Sequence, residues 1–262
     1  MPTISLLTDF GLEDNFVGVM KAVILKINPS VTLVDICHNI KPQDIREAAF
    51  LLRSSYKFFP SGTVHLVVVD PGVGSRRKKI LVKTKDYFFV GPDNGVLALA
   101  LKDDEPLKII EITNERYFFK RVCDTFHGRD IFAPVAAYLS KGIEPENFGK
   151  QINSYSPLEL PQPKLKGNQL IGAIIYIDHF GNIITDIDRE TFKNFIRNKK
   201  FKIFIKGKII NKLSHSYSEG QRQEPLVLID SFDFLEIAIN SHSASKYLRV
   251  SQGDIVNIKR EL

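Results

Sequence analysis

The sequence predicts an α/β N-terminal domain with a central, mostly parallel sheet, followed by a smaller all-β, barrel-like C-terminal domain. Short apolar runs alternate with helical patterns over the first ~150 residues, as in a sheet covered by helices. A stretch with three prolines and a glycine, S-P-L-E-L-P-Q-P-K-L-K-G-N at 156–168, is then typical of an extended linker. Strand-like runs separated by turns fill the rest of the chain. We therefore place the N-terminal domain at 1–155, the linker at 156–169 and the C-terminal domain at 170–262.

Hydrophobic spacing defines the N-terminal elements. The first helix is predicted from Asn15, with Asp14 as its cap, to about Ile27, just before a proline. The second begins at Asp44, and Glu47 three residues later completes a capping-box arrangement. The third strand is apolar enough to be covered on both faces. Strands are predicted at 3–7, 31–36, 64–69, 79–84, 87–90 and 108–112, and two further helices at about 95–102 and 130–140.

Six strand-like runs make up the C-terminal domain. Lysines alternate with phenylalanine and isoleucine in the third of them, as in a half-exposed strand. Short strands joined by turns predict a small barrel or sandwich. The runs lie at 170–178, 182–187, 200–210, 225–230, 234–240 and 254–260.

The composition is that of an ordinary globular protein, with 44% hydrophobic and 25% charged residues. No run approaches the ~18 apolar residues of a membrane helix. The N-terminus lacks the basic start and apolar core of a signal peptide. We therefore predict a cytoplasmic protein without membrane contact.

The cysteines and the net charge exclude some classes of protein. Cys37 and Cys123 occur without a C-x-x-C pair, so neither a disulfide framework nor a thiolate zinc site is predicted, and both are expected to be buried. The net charge of +6 is concentrated in runs such as 76–79 and 197–208. Such runs are usually solvated faces, so nucleic-acid binding is the less favoured alternative.

Polar residues follow four of the predicted N-terminal strands. In open α/β sheets, ligands bind beyond the carboxyl ends of the strands. Each of these segments could instead be a plain turn, since Asp, Asn, Gly and Pro dominate turns. Asp9 and Asp70 stand out because an acid directly follows an apolar run. The segments are Thr8-Asp9-Phe10-Gly11, Cys37-His38-Asn39, Asp70-Pro71-Gly72 and Gly91-Pro92-Asp93-Asn94-Gly95.

The segment D-P-G-V-G-S-R-R at 70–77 has three interpretations: a phosphate cradle, a tight turn, or part of a catalytic site. A P-loop leads through Gly-Lys-Ser/Thr into a helix, whereas here Lys78 and Lys79 lead into a strand. Nor does T-D-F-G-L-E-D-N supply the G-x-G-x-x-G of a dinucleotide site. A Rossmann methyltransferase or dehydrogenase is therefore not predicted, and the other two interpretations of 70–77 stay open.

The segment F-H-G-R-D-I-F-A-P at 126–134 contains a histidine beside an Arg-Asp pair. His127 is a candidate for positioning or deprotonating a nucleophile. The alternative is that Arg129 and Asp130 only cap the following helix.

Two apolar runs flank D-H-F-G-N at 178–182, which predicts a hairpin with Gly181-Asn182 at its tip. Asp178, Phe180 and Asn182 are candidates to face a ligand there.

These motifs together resemble the S-adenosylmethionine hydrolases, also called SAM hydroxide adenosyltransferases, which are related to fluorinases and chlorinases. The resemblance covers nearly the whole chain. The motifs, in order, are T-D-F-G, H-N-I-K-P-Q-D-I-R-E-A-A, D-P-G-V-G-S-R-R, G-P-D-N-G-V-L, F-H-G-R-D-I-F-A-P, D-H-F-G-N and S-F-D-F-L-E-I-A-I-N.

The resemblance implies a homotrimer in which the ligand lies between the N-terminal domain of one subunit and the C-terminal domain of its neighbour. It implies hydrolysis of S-adenosylmethionine to adenosine and L-methionine by attack of water on ribose C5′, with no cofactor and no metal.

The resemblance also assigns residues. Asp70, Arg77 and His127 would form a catalytic triad that acts on the attacking water. The expected substrate contacts are Asp9 with the ribose hydroxyls, Asp14 and Asp178 with the α-amino group, Asn182 with the adenine edge, Phe126 and Phe180 packing nearby, and Ser231 with the methionine carboxylate. The chain departs from the family pattern beside Ser231, where Asp230 and Asp233 replace the expected Asn and Gly.

Three alternatives are distinguishable by sequence. A halide-dependent halogenase of the same superfamily is expected to lack the triad. A SAM- or nucleoside-binding protein without turnover would keep Asp9 and Asn182 but need no triad. A nucleic-acid-binding protein would need exposed aromatic residues among its lysines and would bind in a salt-dependent way.

Overall fold

The computed structural model describes residues 1–261 and divides the chain into two compact units, the first spanning Met1–Glu159 and the second beginning at Leu160. Their architecture confirms the predicted fold class.

The N-terminal unit is a seven-stranded mixed sheet with helices. The sheet order is β2-β1-β3-β5-β4-β6-β7, and β2, β1, β3 and β5 are parallel neighbours. Strand β4 is antiparallel to both β5 and β6, so β6 runs in the same direction as the parallel strands. The strands are β1 Thr3–Thr8, β2 Thr32–Cys37, β3 Val64–Val68, β4 Lys79–Lys83, β5 Phe88–Pro92, β6 Lys108–Ile112 and β7 Gly149–Ile152, and the helices are α1 Phe16–Ile27, α2 Ile45–Ser55, α3 Ala98–Asp103 and α4 Ala133–Ser140.

Strand β3 lies at the centre of the N-terminal core. All five of its residues are buried, as predicted for a strand covered on both faces. Leu66 and Val68 pack into a cluster with residues of α1 and α4, whereas Val67 packs into a second cluster with residues of α2 and α3. Burying side chains of this size contributes about 1.5–3 kcal/mol each. The buried strand thus fixes the backbone that leads, through Val69, to Asp70.

The two predicted helix starts have different outcomes. Asp14 as the cap of α1 is wrong: Asn15 occupies the cap position in a helical conformation, no side chain caps the helix, and Asp14 is exposed. Asp44 does cap α2, since its Oδ1 accepts a hydrogen bond from the Glu47 amide at 2.9 Å. The reciprocal half of the box is missing, because the Asp44 amide donates to the Lys41 carbonyl instead.

The C-terminal unit is a nearly closed antiparallel sheet. Its order is β12-β11-β15-β9-β10-β14-β13, with β8 paired to β9. Leu213, just after β12, bridges to Val227 of β13 and brings the two edges together. The interior is an apolar cluster contributed by most of the strands. The strands are β8 Lys164–Lys166, β9 Gln169–Ile177, β10 Ile183–Asp188, β11 Phe201–Ile205, β12 Lys208–Ile210, β13 Pro225–Ile229, β14 Phe234–Ile239 and β15 Ile255–Arg260.

Three C-terminal elements are absent from the sequence prediction. The helices α5 Arg189–Ile196 and α6 Ala244–Leu248 span only eight and five residues, which is too short for a helical period to be distinguished in the sequence. Strand β8 lies inside the segment predicted as linker and is exposed throughout. The predicted charge alternation is present in β11, where Phe201, Ile203 and Ile205 are buried.

The structure places Cys37 in a half-buried position and Cys123 in an exposed one, both as free thiols. The prediction that Cys123 is buried is wrong because it lies in a surface loop, where its amide rather than its side chain binds the domain, donating to Asp130 at 2.8 Å. No helix within residues 1–261 has the length and apolar character to cross a membrane.

Candidate active site

Asp70, Arg77 and His127 form one hydrogen-bonded cluster. Arg77 Nε donates to Asp70 Oδ1 at 2.8 Å, and Arg77 Nη2 donates to Asp70 Oδ2, so the pair is bidentate. The same Nη2 lies 2.8 Å from His127 Nδ1. The Asp70 and Arg77 side chains are only 5% and 9% exposed. The structure thus brings together the three residues of the predicted triad, with the arginine in the middle.

Turns built into the 70–77 segment bring Arg77 back to Asp70. The Val73 amide donates to the Asp70 carbonyl, and the Ser75 amide to the Gly72 carbonyl. Gly74 has φ +77°, and a Cβ there would lie 2.8 Å from the Asp124 carbonyl oxygen. Only glycine permits both the left-handed backbone and this close approach. The glycine therefore lets the 70–77 and 124–130 segments meet.

The contact with Arg77 determines the form of the His127 ring. A guanidinium has only donors, so Nδ1 must accept and the neutral ring carries its proton on Nε2. Burial lowers the pKa of His127, and the nearby positive charges of Arg77 and Lys79 lower it further. Nε2 makes no hydrogen bond to any residue of 1–261. The ring thus presents a neutral N–H group.

Arg129 and Asp130 hold the loop that carries His127. Asp130 is fully buried and accepts from Arg129 Nε and Nη2 at 2.6 and 2.9 Å. Its carboxylate also accepts from the Cys123 amide, and its carbonyl from the Phe119 amide. Arg129 and Asp130 lie within a π-helical turn, Gly128–Phe132, that leads into α4. The Arg-Asp pair therefore fixes the 119–130 segment rather than only capping a helix.

A cavity of about 390 Å³ opens beside the triad. It combines two acids, Asp9 and Asp70, with an aromatic wall. Phe10, Phe16 and Phe126 contact one another there, with ring centroids 5.3–5.8 Å apart. The lining residues are Asp9, Phe10, Phe16, Pro42, Gln43, Val68, Asp70, Pro71, Val73, Thr125, Phe126, His127 and Gly128. An acidic and aromatic cavity is suited to a cationic ligand that carries a flat ring system.

Asp9 is oriented by a residue that the sequence analysis did not select. Its Oδ2 accepts from the Gln43 amide at 2.7 Å. Gln43 has φ 68°, an unfavourable backbone for a residue with a side chain, just before α2. No residue type in the sequence marks this contact, because Gln43 contributes only its backbone amide. Asp14, by contrast, is exposed and does not line the cavity.

The segments after β2 and β5 make internal hydrogen bonds instead of lining the cavity. Asp93 Oδ1 accepts from the Ser156 amide at 2.6 Å, and Asn94 Nδ2 donates to the Val69 carbonyl at 2.9 Å. His38 contacts Thr8. Of the four predicted strand ends, those of β1 and β3 line the cavity.

In the C-terminal unit, Asp178 and Asn182 bind each other across the β9–β10 turn. Asp178 Oδ1 accepts from the Asn182 amide at 2.8 Å, and Oδ2 from Asn182 Nδ2 at 2.9 Å. The predicted tip is wrong, because Gly181, at φ +86°, closes a turn whose tip is His179-Phe180. Phe180 is 75% exposed.

The β13–β14 turn explains how the chain accommodates its departures from the family pattern. Asp230 Oδ1 accepts from the Phe232 and Phe234 amides, both at 2.8 Å, so this oxygen points back into its own turn. Asp233 has φ 68°, the conformation for which glycine is favoured, and its carboxylate accepts from Arg189 at 2.7 Å. Ser231 is left exposed between them.

The fold and these residues define a class of protein: an α/β domain with an Asp–Arg–His cluster beside an acidic, aromatic cavity, joined to a small antiparallel barrel. Within residues 1–261, no three or more His, Cys, Asp or Glu side chains are grouped as a metal site would require. Residues 4–149 match the SAM hydroxide adenosyltransferase N-terminal domain, and residues 172–257 match the C-terminal domain of that family. The chain belongs to the SAM hydroxide adenosyltransferase family.

Full-length relatives agree with this membership. The (R)-S-adenosyl-L-methionine hydrolase of Methanocaldococcus jannaschii is 38% identical, over 97% of this chain and 95% of its own length. The enzyme of the same name from Thermus thermophilus is 34% identical, over 97% and 98%. A fluorinase from Actinopolyspora mzabensis is 25% identical, over 99% and 97%. The crystal structure of a conserved protein from Thermotoga maritima superposes with a TM-score of 0.92 at 41% identity, covering 98% of this chain and all of that one.

Proposed function

We propose that this protein hydrolyses S-adenosyl-L-methionine to adenosine and L-methionine. The observation that carries the proposal is the Asp70–Arg77–His127 cluster at the wall of an acidic, aromatic cavity. The full-length relatives named for this hydrolysis support it.

The reaction is a substitution at the ribose C5′. The water oxygen forms a bond to C5′ as the C5′–sulfur bond breaks, and the bonding pair goes to sulfur. The sulfonium thus leaves as the neutral thioether of methionine and needs no acid catalyst. One water proton is released. The difficulty of the reaction lies in the weak nucleophile, so the site has to position the water and stabilise the charge that it develops.

The triad suits that task. The Arg77–Asp70 pair forms a rigid wall, and the Nε2–H of His127 is available to donate to the water oxygen. Each Asp70 oxygen retains a lone pair that can accept the water's hydrogen. Because Nε2 already carries a proton, we assign His127 to orienting the nucleophile and Asp70 to receiving the proton. A water held about 3 Å from C5′ gains much of its reactivity from this placement.

The remaining predicted residues are proposed to bind substrate. In the N-terminal unit, Asp9 would hold the ribose hydroxyls and Phe126 would pack against the ligand. In the C-terminal unit, the proposed contacts are Asp178 with the α-amino group, Asn182 with the adenine edge, Phe180 nearby and Ser231 with the carboxylate. Asp14 is proposed for the α-amino group on resemblance alone.

The proposal extends to a metal-independent, cytoplasmic homotrimer with the ligand bound between subunits. This arrangement follows the family resemblance, and the two free thiols suit a reducing compartment. Light scattering of the purified protein would measure the subunit number, and the oligomer is expected at three times 29.7 kDa.

The experiment is turnover in 18O-labelled water by protein treated with EDTA, followed by mass spectrometry. The names of the relatives specify the R configuration at sulfur, so both sulfonium epimers are tested separately. Adenosine labelled at its 5′ oxygen, with equimolar methionine, is expected. The control is Asp70→Asn, which keeps the shape of the side chain and should lose turnover.

Two results would favour other functions. Turnover that appears only with added halide, giving a 5′-halogenated nucleoside, would indicate a halogenase. Binding of S-adenosylmethionine or adenosine without products would leave a binding protein.

A further inference from the structure

A chain of polar contacts runs behind Asp9, and its members nearest to Asp9, Thr8 and His38, are buried. His38, which follows β2 and is 4% exposed, lies with Nδ1 2.8 Å from Thr8 Oγ1. Thr8 ends β1 and is fully buried. On the other side of the ring, Nε2 lies 3.0 Å from Asp35 Oδ1, whose second oxygen accepts from Lys21 Nζ at 2.6 Å. Nε2 faces this carboxylate at hydrogen-bond distance, although the two groups are not in linear hydrogen-bond alignment.

The direction of this chain follows from its chemistry. A ring nitrogen 3.0 Å from a carboxylate oxygen must carry a hydrogen, so the proton of the neutral His38 ring is on Nε2. Nδ1 then accepts from the Thr8 hydroxyl. With its proton committed to His38, Thr8 Oγ1 accepts from the Phe10 amide, at 3.4 Å. The imidazole therefore fixes the rotamer of Thr8, and Thr8 fixes the backbone on the far side of Asp9.

A second link reaches the same turn. The Gly11 amide donates to the His38 carbonyl at 2.8 Å, so residues 8–11 are held to residue 38 by side chain and backbone. Within that turn, Asp9 Oδ2 is occupied by the Gln43 amide. Asp9 lines the cavity, and its Oδ1 makes no hydrogen bond to residues 1–261. This carboxylate is held at one oxygen and open at the other.

We propose that His38 is a positioning residue, which acts through Thr8 to orient Asp9 so that Asp9 selects ligands bearing a ribose 2′-hydroxyl. The inference rests on the proposed function for the identity of the ligand. Neither His38 nor Thr8 lines the cavity, so their effect on selectivity has to pass through Asp9 or Phe10, and of these two side chains only Asp9 can accept a hydrogen bond from a hydroxyl. A carboxylate that rotates freely would still attract a cation but would lose its directed hydrogen bond to a hydroxyl.

The test uses adenosine and 2′-deoxyadenosine, whose affinities are measured by calorimetry. One charge-assisted hydrogen bond is worth about tenfold or more in affinity, so the wild type should prefer adenosine by about that factor. Thr8→Val removes the hydroxyl at nearly constant volume and should bring the preference towards one, with little change in affinity for 2′-deoxyadenosine. Thr8→Ser, which keeps the hydroxyl, should retain the preference.

The roles of the two ring nitrogens of His38 can be distinguished by substitution. An Asn side chain places a polar atom near the position of Nδ1, and Gln places one near Nε2. We therefore expect His38→Asn to retain the preference for adenosine over 2′-deoxyadenosine and His38→Gln to lose it. A purely structural role would instead lower the melting temperature and weaken both nucleosides equally.

Each outcome is decisive. A preference retained in Thr8→Val, or absent in the wild type while S-adenosylmethionine is still hydrolysed, would overturn the role of His38 and leave the proposed function standing. A wild type that neither hydrolyses S-adenosylmethionine nor binds either nucleoside would overturn the proposed function, and this inference with it. Asp9→Asn, which alters no buried contact, should match Thr8→Val in its loss of preference.

Discussion

Arg77 Nη2 lies 2.8 Å from His127 Nδ1, so a cation rather than a carboxylate orients this imidazole. In the familiar arrangement a carboxylate accepts from the ring and makes it a better base. Here the arginine donates to the ring and disfavours its protonation. The histidine is thereby adapted to donate a hydrogen bond at Nε2.

Arg77→Lys should abolish most activity without unfolding the protein. A single ammonium cannot serve both Asp70 oxygens and the His127 ring in the planar geometry of a guanidinium. We expect kcat to fall by roughly 10²–10³, the usual effect of losing one preorganised donor. Arg76→Lys changes the exposed neighbouring arginine and should leave kcat unchanged. Equal rates for the two variants would exclude the bidentate pair from the reaction.

The pH profile should report the lowered pKa of His127. The neutral ring is the proposed active form, so the rate should be flat above neutrality and fall only at a pH below the ordinary histidine value of 6.5. Lys79→Met removes one of the positive charges that lower this pKa and should move the acid limb to higher pH. The measurement is kcat/KM between pH 4.5 and 9, with Lys78→Met as the comparison. An acid limb that stays fixed in Lys79→Met would assign it to another group.

Glu236 should make the C-terminal unit less stable as the pH rises. It is 3% exposed, and burial raises its pKa from 4.5 to about 7, while a hydrogen bond with Tyr217 opposes the change. A folded-state pKa above the unfolded one means that stability is complete below pH 4.5 and is lost between pH 4.5 and 7. The free energy of unfolding should fall by about 3 kcal/mol over this pH range.

Glu236→Gln should remove this dependence, because the amide stays neutral. Chemical denaturation at pH 5 and pH 8 measures the free energy of unfolding. The variant should be more stable than the wild type at pH 8 but not at pH 5. Glu224→Gln, at an exposed position of the same unit, should behave as the wild type at both. Parallel curves for Glu236→Gln and the wild type would show that Glu236 is ionised in the folded protein throughout this range.

Gly181→Ala should distort the turn that carries Asp178 and Asn182. A Cβ at Gly181 would lie 2.1 Å from Ser243 Oγ, and φ there is +86°. Gly167 has a similar φ of +61° with open space around it, so Gly167→Ala isolates the backbone cost of about 1 kcal/mol. The clash should add about 1–3 kcal/mol at Gly181. Melting temperature measures the difference, and equal losses at both sites would show that Ser243 yields without cost.

Local sequence signals predicted most elements, but not the contacts between distant residues. The cap at Asp44 and the alternation in β11 depend on neighbours in the chain, so both could be predicted. The pairing of Thr8 with His38 depends on β1 and β2 becoming neighbours, which a strand pattern alone does not specify.

For the candidate site, the triad could be predicted because its residues lie in two of the seven motifs that resemble one family. The position of Gln43 could not, because it contributes through its backbone amide, which every residue other than proline possesses. The Asp14 cap failed for a similar reason: Asp and Asn adjoin there, and the structure uses the second without a side-chain hydrogen bond. The left-handed backbone conformation of Asp233 could not be predicted either, because an aspartate does not indicate it in the way that a glycine would.

The π-helical turn at Gly128–Phe132 gives the chain between His127 and α4 room for one residue more than an α-helical turn holds. A π turn holds more residues than an α turn, so it accommodates what would otherwise be a surplus residue in a regular helix. Because the extra residue is taken up within the turn itself, deleting one residue would return the turn to α-helical pitch and leave the flanking backbone in nearly the same orientation. The imidazole would then stay near Arg77, whereas a deletion within the regular helix α4 would rotate everything before it by about 100° about the helix axis. Single-residue length differences among homologues that keep this chemistry should therefore fall in this turn rather than in α4.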